Sequence, residues 1–224
     1  YSSAASDVYK RQIKDRDEAL SRHIDDSLAL VPALDACIRR QEEAGAVSQS
    51  LKIKLIDIGS GAGLPGLVLA VVRPEWRICL LDSLNKRCTF NNAAAEAMQL
   101  DNIDVVWARA ETAGRDENLR EQFDLVTARA VAELRILAEL CLPFAKVGGH
   151  WVAAKGHNPD EELRTAEKAI SMLGGSSPAI ENVESIAPEG KRTVVIVEKR
   201  SKMSPKTVLL DAGFWIDFRR LSVG

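Results

Sequence analysis

The sequence predicts an α/β fold, a mainly parallel sheet with helices on both faces, closed by an antiparallel hairpin and preceded by a helical extension. Two patterns lead to it. From residue 51 onward, strand-like and helix-like stretches alternate, which means parallel strands joined by helical crossovers. The last two strand patterns have only Ala187 to Arg192 between them, too short a link for a crossover, so they pair as a hairpin.

The elements follow in order. Asp15 to Arg40 reads as helical, with Ala19, Leu20, Ile24, Leu28 and Val31 recurring at three- and four-residue intervals and Pro32 kinking or ending the first segment. Gln41 to Gln49 is polar and separates this extension from the core. Leu51 to Gly59 alternates and then turns continuously apolar, as a buried strand does. Next come a helix from Pro65 to Val72, a strand from Arg77 to Leu81, a helix from Asn85 to Leu100, and strands from Ile103 to Ala108 and Phe123 to Ala128. A helix from Ala132 to Cys141, a Gly148-Gly149 turn and a strand from His150 to Ala154 continue the pattern. Asp160 to Leu173 is the last helix, and the hairpin strands lie near Ile180 to Ile186 and Thr193 to Glu198. The resulting organisation is an irregular or foreign segment at 1–12, a helical extension at 13–50, an α/β domain at 51–200 and a basic tail at 201–224.

A chain of 224 residues suits one core, and 46% hydrophobic with 28% charged residues is ordinary for a globular protein. No apolar run approaches the roughly 20 residues that span a bilayer. Cys37, Cys79, Cys88 and Cys141 include no CxxC pair, so reduced buried thiols are expected, with no metal site. The net charge of −2 does not advertise a nucleic-acid binder, yet Lys191 to Gly224 holds eight Lys or Arg against three Asp or Glu.

Between the first core strand and its helix stands Asp57-Ile-Gly59-Ser-Gly61-Ala-Gly63-Leu64-Pro65-Gly66. Glycines serve there where the backbone turns sharply and a ligand approaches closely. Gly61 to Gly66 also satisfies GxGxxG, so a dinucleotide is the competing ligand. Asp57, two residues before the first glycine, and Ala110-Glu111 after the third strand favour S-adenosylmethionine. Asp82, closing the second strand, suits the ribose of either cofactor. With the terminal hairpin, these features predict a class I S-adenosylmethionine-dependent methyltransferase of Rossmann-like architecture.

The acceptor leaves traces as well. An Asn/Asp-Pro-Pro-aromatic motif for exocyclic amines is absent after the fourth strand, which reads Phe123-Asp-Leu-Val-Thr-Ala-Arg129-Ala130. No cysteine stands there as a nucleophile for cytosine C5. A ring nitrogen such as guanine N7 needs neither, so no general base is assigned. In Arg22-His-Ile-Asp-Asp-Ser-Leu28, Asp57 to Gly63 with Pro65, Asp82-Ser-Leu-Asn-Lys-Arg87, Arg109-Ala-Glu111, Asp124 to Ala132 and Leu173-Gly-Gly175, the sequence resembles the 16S rRNA guanine-N7 methyltransferases called RsmG or GidB. The resemblance covers about Ile13 to Lys206. It implies that Gly59, Leu64, Asp82 with Ser83 and Leu84, Ala110, Glu111 and Arg129 line the S-adenosylmethionine site, joined by Asp57 and Gly61 from the motif. The implied substrate is a guanine in the 530 loop of small-subunit rRNA. Residues 1–12 depart from the family, and Thr207 to Gly224 lacks its Pro-Arg-x-x-Gly-x-Pro tail.

Arg129, at the ligand-bearing end of the fourth strand, is the candidate for positioning cofactor or base. Lys86 and Arg87 open a helix, where bare positive charge is unfavourable and an anionic partner is expected. With Lys199, Arg200, Lys202 and Lys206 they are the candidate contacts to RNA phosphates, against the plainer reading of solvated surface charges. His23 reads as structural. The expected partner is small-subunit rRNA or a 30S-type subunit, with no membrane, for a monomeric enzyme of the cytoplasm, or of the chloroplast in a plant or alga. The rival readings are a methyltransferase of a small molecule or protein, and a noncatalytic cofactor-binding regulator.

Overall fold

The computed structural model describes residues 23–46, 52–129, 132–155, 160–184 and 191–202. A short helical segment at 23–28 and a turn at 29–30 lead into α1 (Val31–Glu43), which has Pro32 in its first turn, where the missing N–H costs nothing. The core then runs β1 (Lys54–Ile58), α2 (Gly66–Val72), β2 (Arg77–Asp82), α3 (Asn85–Ala97), β3 (Ile103–Trp107), α4 (Ala110–Ala113) and β4 (Phe123–Arg129). It ends with α5 (Leu134–Cys141), β5 (Ala145–Lys155), α6 (Asp160–Met172), β6 (Ala179–Glu184) and β7 (Lys191–Glu198). Among the described residues, no helix is long and apolar enough to cross a membrane.

Among the described residues, seven strands form one sheet in the order β3-β2-β1-β4-β5-β7-β6. The first five are parallel, and β7 pairs antiparallel with both β5 and β6. The antiparallel hairpin read from the sequence is therefore present, although residues 185–190 of its connection lie outside the described residues. Each central strand is apolar on both faces, as a sheet covered on both sides requires. Leu55, Leu80, Leu125 and Val152 face α1 and α2 together with Ala95 of α3. Ile56, Val126, Trp151 and Ala153 face the other way, against α5 and α6. Strand order reverses between β1 and β4, opening a crevice at the carboxyl ends of the strands where ligands bind in such sheets.

Two local expectations are corrected. Gln41 to Gln49 is not a polar separator from its start, because α1 continues through Glu43 and Gln41 is buried against the sheet. Its amide finds partners there, so a polar residue at that position does not end the helix. The Gly148-Gly149 pair lies inside β5, not in a turn before it. Ala145 pairs with Phe123 and His150 with Leu125, so the extra residues of β5 bulge out, with Gly148 at φ +85°.

Candidate cofactor site

The glycine turn after β1 takes its shape from the residues below it. Gly59, Gly61 and Gly63 all have positive φ, at 69°, 57° and 82°, which side-chain-bearing residues rarely adopt. A Cβ at Gly59 would meet nothing within 4 Å, and one at Gly61 only the Gly59 carbonyl at 3.9 Å, so the upper face of the turn is free to receive a ligand. Pro65 and Gly66 then start α2.

Asp57, near the end of β1, is wholly buried. Its Oδ2 accepts the Gly66 N–H at 3.1 Å, while Oδ1 has no partner. Burial pushes the carboxyl from the usual 3.8 up to about 7; the Gly66 N–H and the Arg129 guanidinium act against the shift, and Asp82 adds to it. Thr127, the register partner of Asp57 on β4, is also buried with an unpartnered Oγ1. Two orphaned polar atoms on adjacent strands at the reversal of strand order are a costly arrangement, of the kind found at functional sites.

Asp82 closes β2 as expected and is 1% exposed. Its Oδ2 accepts the Gly61 N–H at 2.9 Å and its Oδ1 the Leu84 N–H at 2.9 Å. One carboxylate thus links the glycine turn to Ser83 and Leu84, both exposed at the rim. Arg87 lies 3.4 Å from Asp82 Oδ2 with its side chain half exposed, so the anionic partner expected for the start of this helix is Asp82 itself. Lys86 is exposed.

Leu64, Gly61, Ala110, Glu111 and Arg129 are all half-buried. Ala110 and Glu111 form the start of α4, directly after β3, and Arg129 ends β4. All of these positions stand at the carboxyl ends of β1 to β4, the same end as the glycine turn.

The basic candidates at the carboxyl end of the chain separate. Arg200 is exposed and pairs with Glu198 at 3.3 Å, and Lys202 is exposed. Lys206 lies outside the described residues. Lys199 is corrected: its side chain is 0% exposed, its Nζ donates to the Leu142 carbonyl at 3.1 Å, and Glu121 lies 3.7 Å away. Burial lowers its pKa from 10.5 to about 8. A lysine enclosed in this way cannot reach an RNA phosphate.

Three contributors escaped the sequence reading. Asn91 of α3 lies beneath the glycine turn, its Nδ2 3.2 Å from Ser60 Oγ and 3.3 Å from the Gly61 carbonyl. A polar residue among Cys88, Asn91 and Ala95, the buried face of α3, was the available signal. Trp107 is 63% exposed beside Asp82, its indole N–H donating to the Ser83 carbonyl at 3.1 Å. Lys155, at the end of β5, donates to the Ala132 carbonyl at 3.0 Å and pairs with Glu162.

The fold is shared widely. An Agrobacterium tumefaciens protein described as a predicted O-methyltransferase matches with a TM-score of 0.56 at 15% identity, over 70% of this chain and 80% of that one. The CMeT domain of the citrinin polyketide synthase matches with a TM-score of 0.53 at 10% identity, over 69% and 48%. In sequence, the chain is 45% identical over 159 residues to the ribosomal RNA small subunit methyltransferase G of Brevibacillus brevis, covering 71% of this chain and 66% of that one. It is 43% identical over 169 residues to the protein of that name from Staphylococcus carnosus (75% and 70%), and 38% over 193 residues to that of Moorella thermoacetica (86% and 75%). The chain thus spans about two thirds to three quarters of these relatives' lengths. The family model described as rRNA small subunit methyltransferase G matches residues 11–189, glycine turn and strand-end residues included. On that match, and on the identity to these relatives, this chain belongs to the GidB family, rRNA small subunit methyltransferase G.

Proposed function

We propose that this chain transfers a methyl group from S-adenosylmethionine to N7 of a guanine in the 530 loop of 16S rRNA, acting on small-subunit rRNA or a 30S-type subunit. The observation that carries the reading is the set of groups at the carboxyl ends of β1, β2 and β4, in a chain of this family. An open-faced glycine turn, a buried carboxylate with a free oxygen, a second carboxylate tied to that turn and a half-buried arginine fit the cofactor. Asp82 offers charged acceptors for the ribose hydroxyls, Asp57 an acceptor for a cationic group, and the start of α4 at Ala110 and Glu111 a polar edge for the adenine.

When bound, S-adenosylmethionine supplies a methyl already activated by the sulfonium. The protein's part is then to hold an acceptor in line and exclude water. Guanine N7 carries an in-plane lone pair and loses no proton, so the reaction asks for no base. Arg129 is permanently charged and suits positioning, through paired hydrogen bonds to the cofactor carboxylate or to guanine O6. Lys86, Arg87, Arg200 and Lys202 are exposed, Arg87 and Arg200 in ion pairs with Asp82 and Glu198, and these four are the candidate contacts to RNA phosphates.

Mapping 7-methylguanosine in small-subunit rRNA from cells with and without the gene tests the reading. Loss of one 530-loop modification, restored by purified protein with S-adenosylmethionine on isolated subunits, is the expected result. An unchanged map would remove the proposed substrate.

A further inference from the structure

Of the three side chains that α3 buries, Cys88, Asn91 and Ala95, only Asn91 carries an amide, and it is 0% exposed. A buried amide is costly unless its hydrogens are used. The orientation of this one follows from its neighbour: the Gly61 carbonyl only accepts, so the amino group must face it. The same Nδ2 donates to Ser60 Oγ. Gly61 is therefore held from both sides, its carbonyl by Asn91 of α3 and its N–H by Asp82 of β2. A Cβ at Gly63 would lie 2.9 Å from Asn91 Oδ1 and would also strike Leu67, so the turn rests directly on this amide. Oδ1 itself is buried without a partner. The underside of the turn is braced by Asn91 while its upper face stays open.

We infer that Asn91 is a positioning residue for the cofactor-binding turn, fixing the Gly61-Ala62 peptide and the Ser60 hydroxyl in the shape that receives S-adenosylmethionine. The inference rests on the cofactor reading above. A turn built from three positive-φ glycines has many alternative shapes, and a brace that selects one removes an ordering cost from binding. Leucine at position 91 keeps the size of the side chain but leaves the Gly61 carbonyl and Ser60 Oγ without their donor.

The test uses the full chain. Wild type, Asn91→Leu, Ser60→Ala and the double variant are titrated calorimetrically with S-adenosylhomocysteine, and their thermal unfolding without ligand is recorded. Asn91→Leu is expected to weaken binding about 10-fold, and Ser60→Ala less, because the Gly61 contact survives in it. The double variant is expected to bind no more weakly than Asn91→Leu. In turnover with small subunits, the KM for S-adenosylmethionine rises while kcat at saturating cofactor and the KM for subunits hold. A folded Asn91→Leu protein that binds within twofold of wild type overturns the inference, whatever its melting temperature. If that variant does not fold, Asn91→Ser, too short to reach Gly61, decides by the same criterion. Wild type that fails to bind S-adenosylhomocysteine overturns the cofactor reading itself and this inference with it.

Discussion

Asp57 shows how one buried group links stability to the proposed chemistry. The folded carboxyl keeps its proton up to about 7 and the unfolded one only to about 3.8, so between these values the folded state binds more protons. Its contribution to stability is greatest below pH 4, falls as pH rises toward 7, and stays low above that. Asp57→Asn removes the buried charge while keeping the size of the side chain and an oxygen to accept the Gly66 N–H. Urea unfolding is expected to show the variant more stable than wild type at pH 8 by about 1 to 3 kcal/mol, with the difference shrinking by pH 5. Its affinity for S-adenosylmethionine falls at the same time, by calorimetry. Equal or lower stability at pH 8 would mean that the wild-type carboxylate finds compensation at Oδ1. Arg129→Lys keeps the charge but loses the planar fork, and single-turnover methylation of small subunits should slow at least 10-fold. Weaker cofactor binding alongside it points to a contact with the cofactor carboxylate, and unchanged binding to a contact with the base. Unchanged rate and affinity remove Arg129 from the site.

At the scale of the element, α1 is fastened to the sheet by more than apolar contact. Leu34, Cys37 and Ile38 pack on the core, and Gln41, one turn on, donates from Nε2 to the Asp124 carbonyl at 3.1 Å and to His150 Nδ1 at 3.2 Å. Asp124 in turn accepts the Lys54 N–H at 2.7 Å and pairs with Lys146. Gln41→Leu leaves two buried acceptors unpaired and should cost about 1 to 3 kcal/mol in denaturant unfolding. A loss below about 0.5 kcal/mol would show that the apolar contacts alone hold α1. Burial lowers the pKa of His150, as does Arg40, against the opposing pull of Glu198. Stability from this contact is therefore present above about 6.5 and is lost as pH falls, when the ring must take up a proton where Gln41 already donates.

Across the whole molecule, a net charge of −2 gives no general attraction for RNA, so any affinity must come from where the cations stand. Lys86, Arg87, Arg200 and Lys202 are exposed, and Lys199 is enclosed. Raising salt should raise the KM for subunits. Replacing Lys86, Arg200 and Lys202 by Gln should flatten the slope of log KM against log salt, because fewer counterions are released on binding. Lys199→Met should leave that slope unchanged and instead alter stability: with a folded pKa of about 8 against 10.5 unfolded, wild type gains stability as pH rises through that window, and the variant does not. A flattened salt slope in Lys199→Met would return this lysine to the RNA surface.

The α/β alternation, the closing hairpin, the glycine turn and the strand-end acids Asp57 and Asp82 are legible in the order of residues alone. These rest on local rules: apolar periodicity, loops too short for a crossover, and backbone shapes that need glycine. The packed fold is what puts Gln41 in a helix buried against the sheet, bulges Gly148 and Gly149 within β5, encloses Lys199 while Arg200 beside it stays exposed, and lays Asn91 beneath Gly61. Ser60 and Asn91 are 31 residues apart, and Gln41 and His150 are 109 apart. A polar side chain carries no mark of the distant group that will satisfy it, because that partner exists only once the sheet has brought the two together.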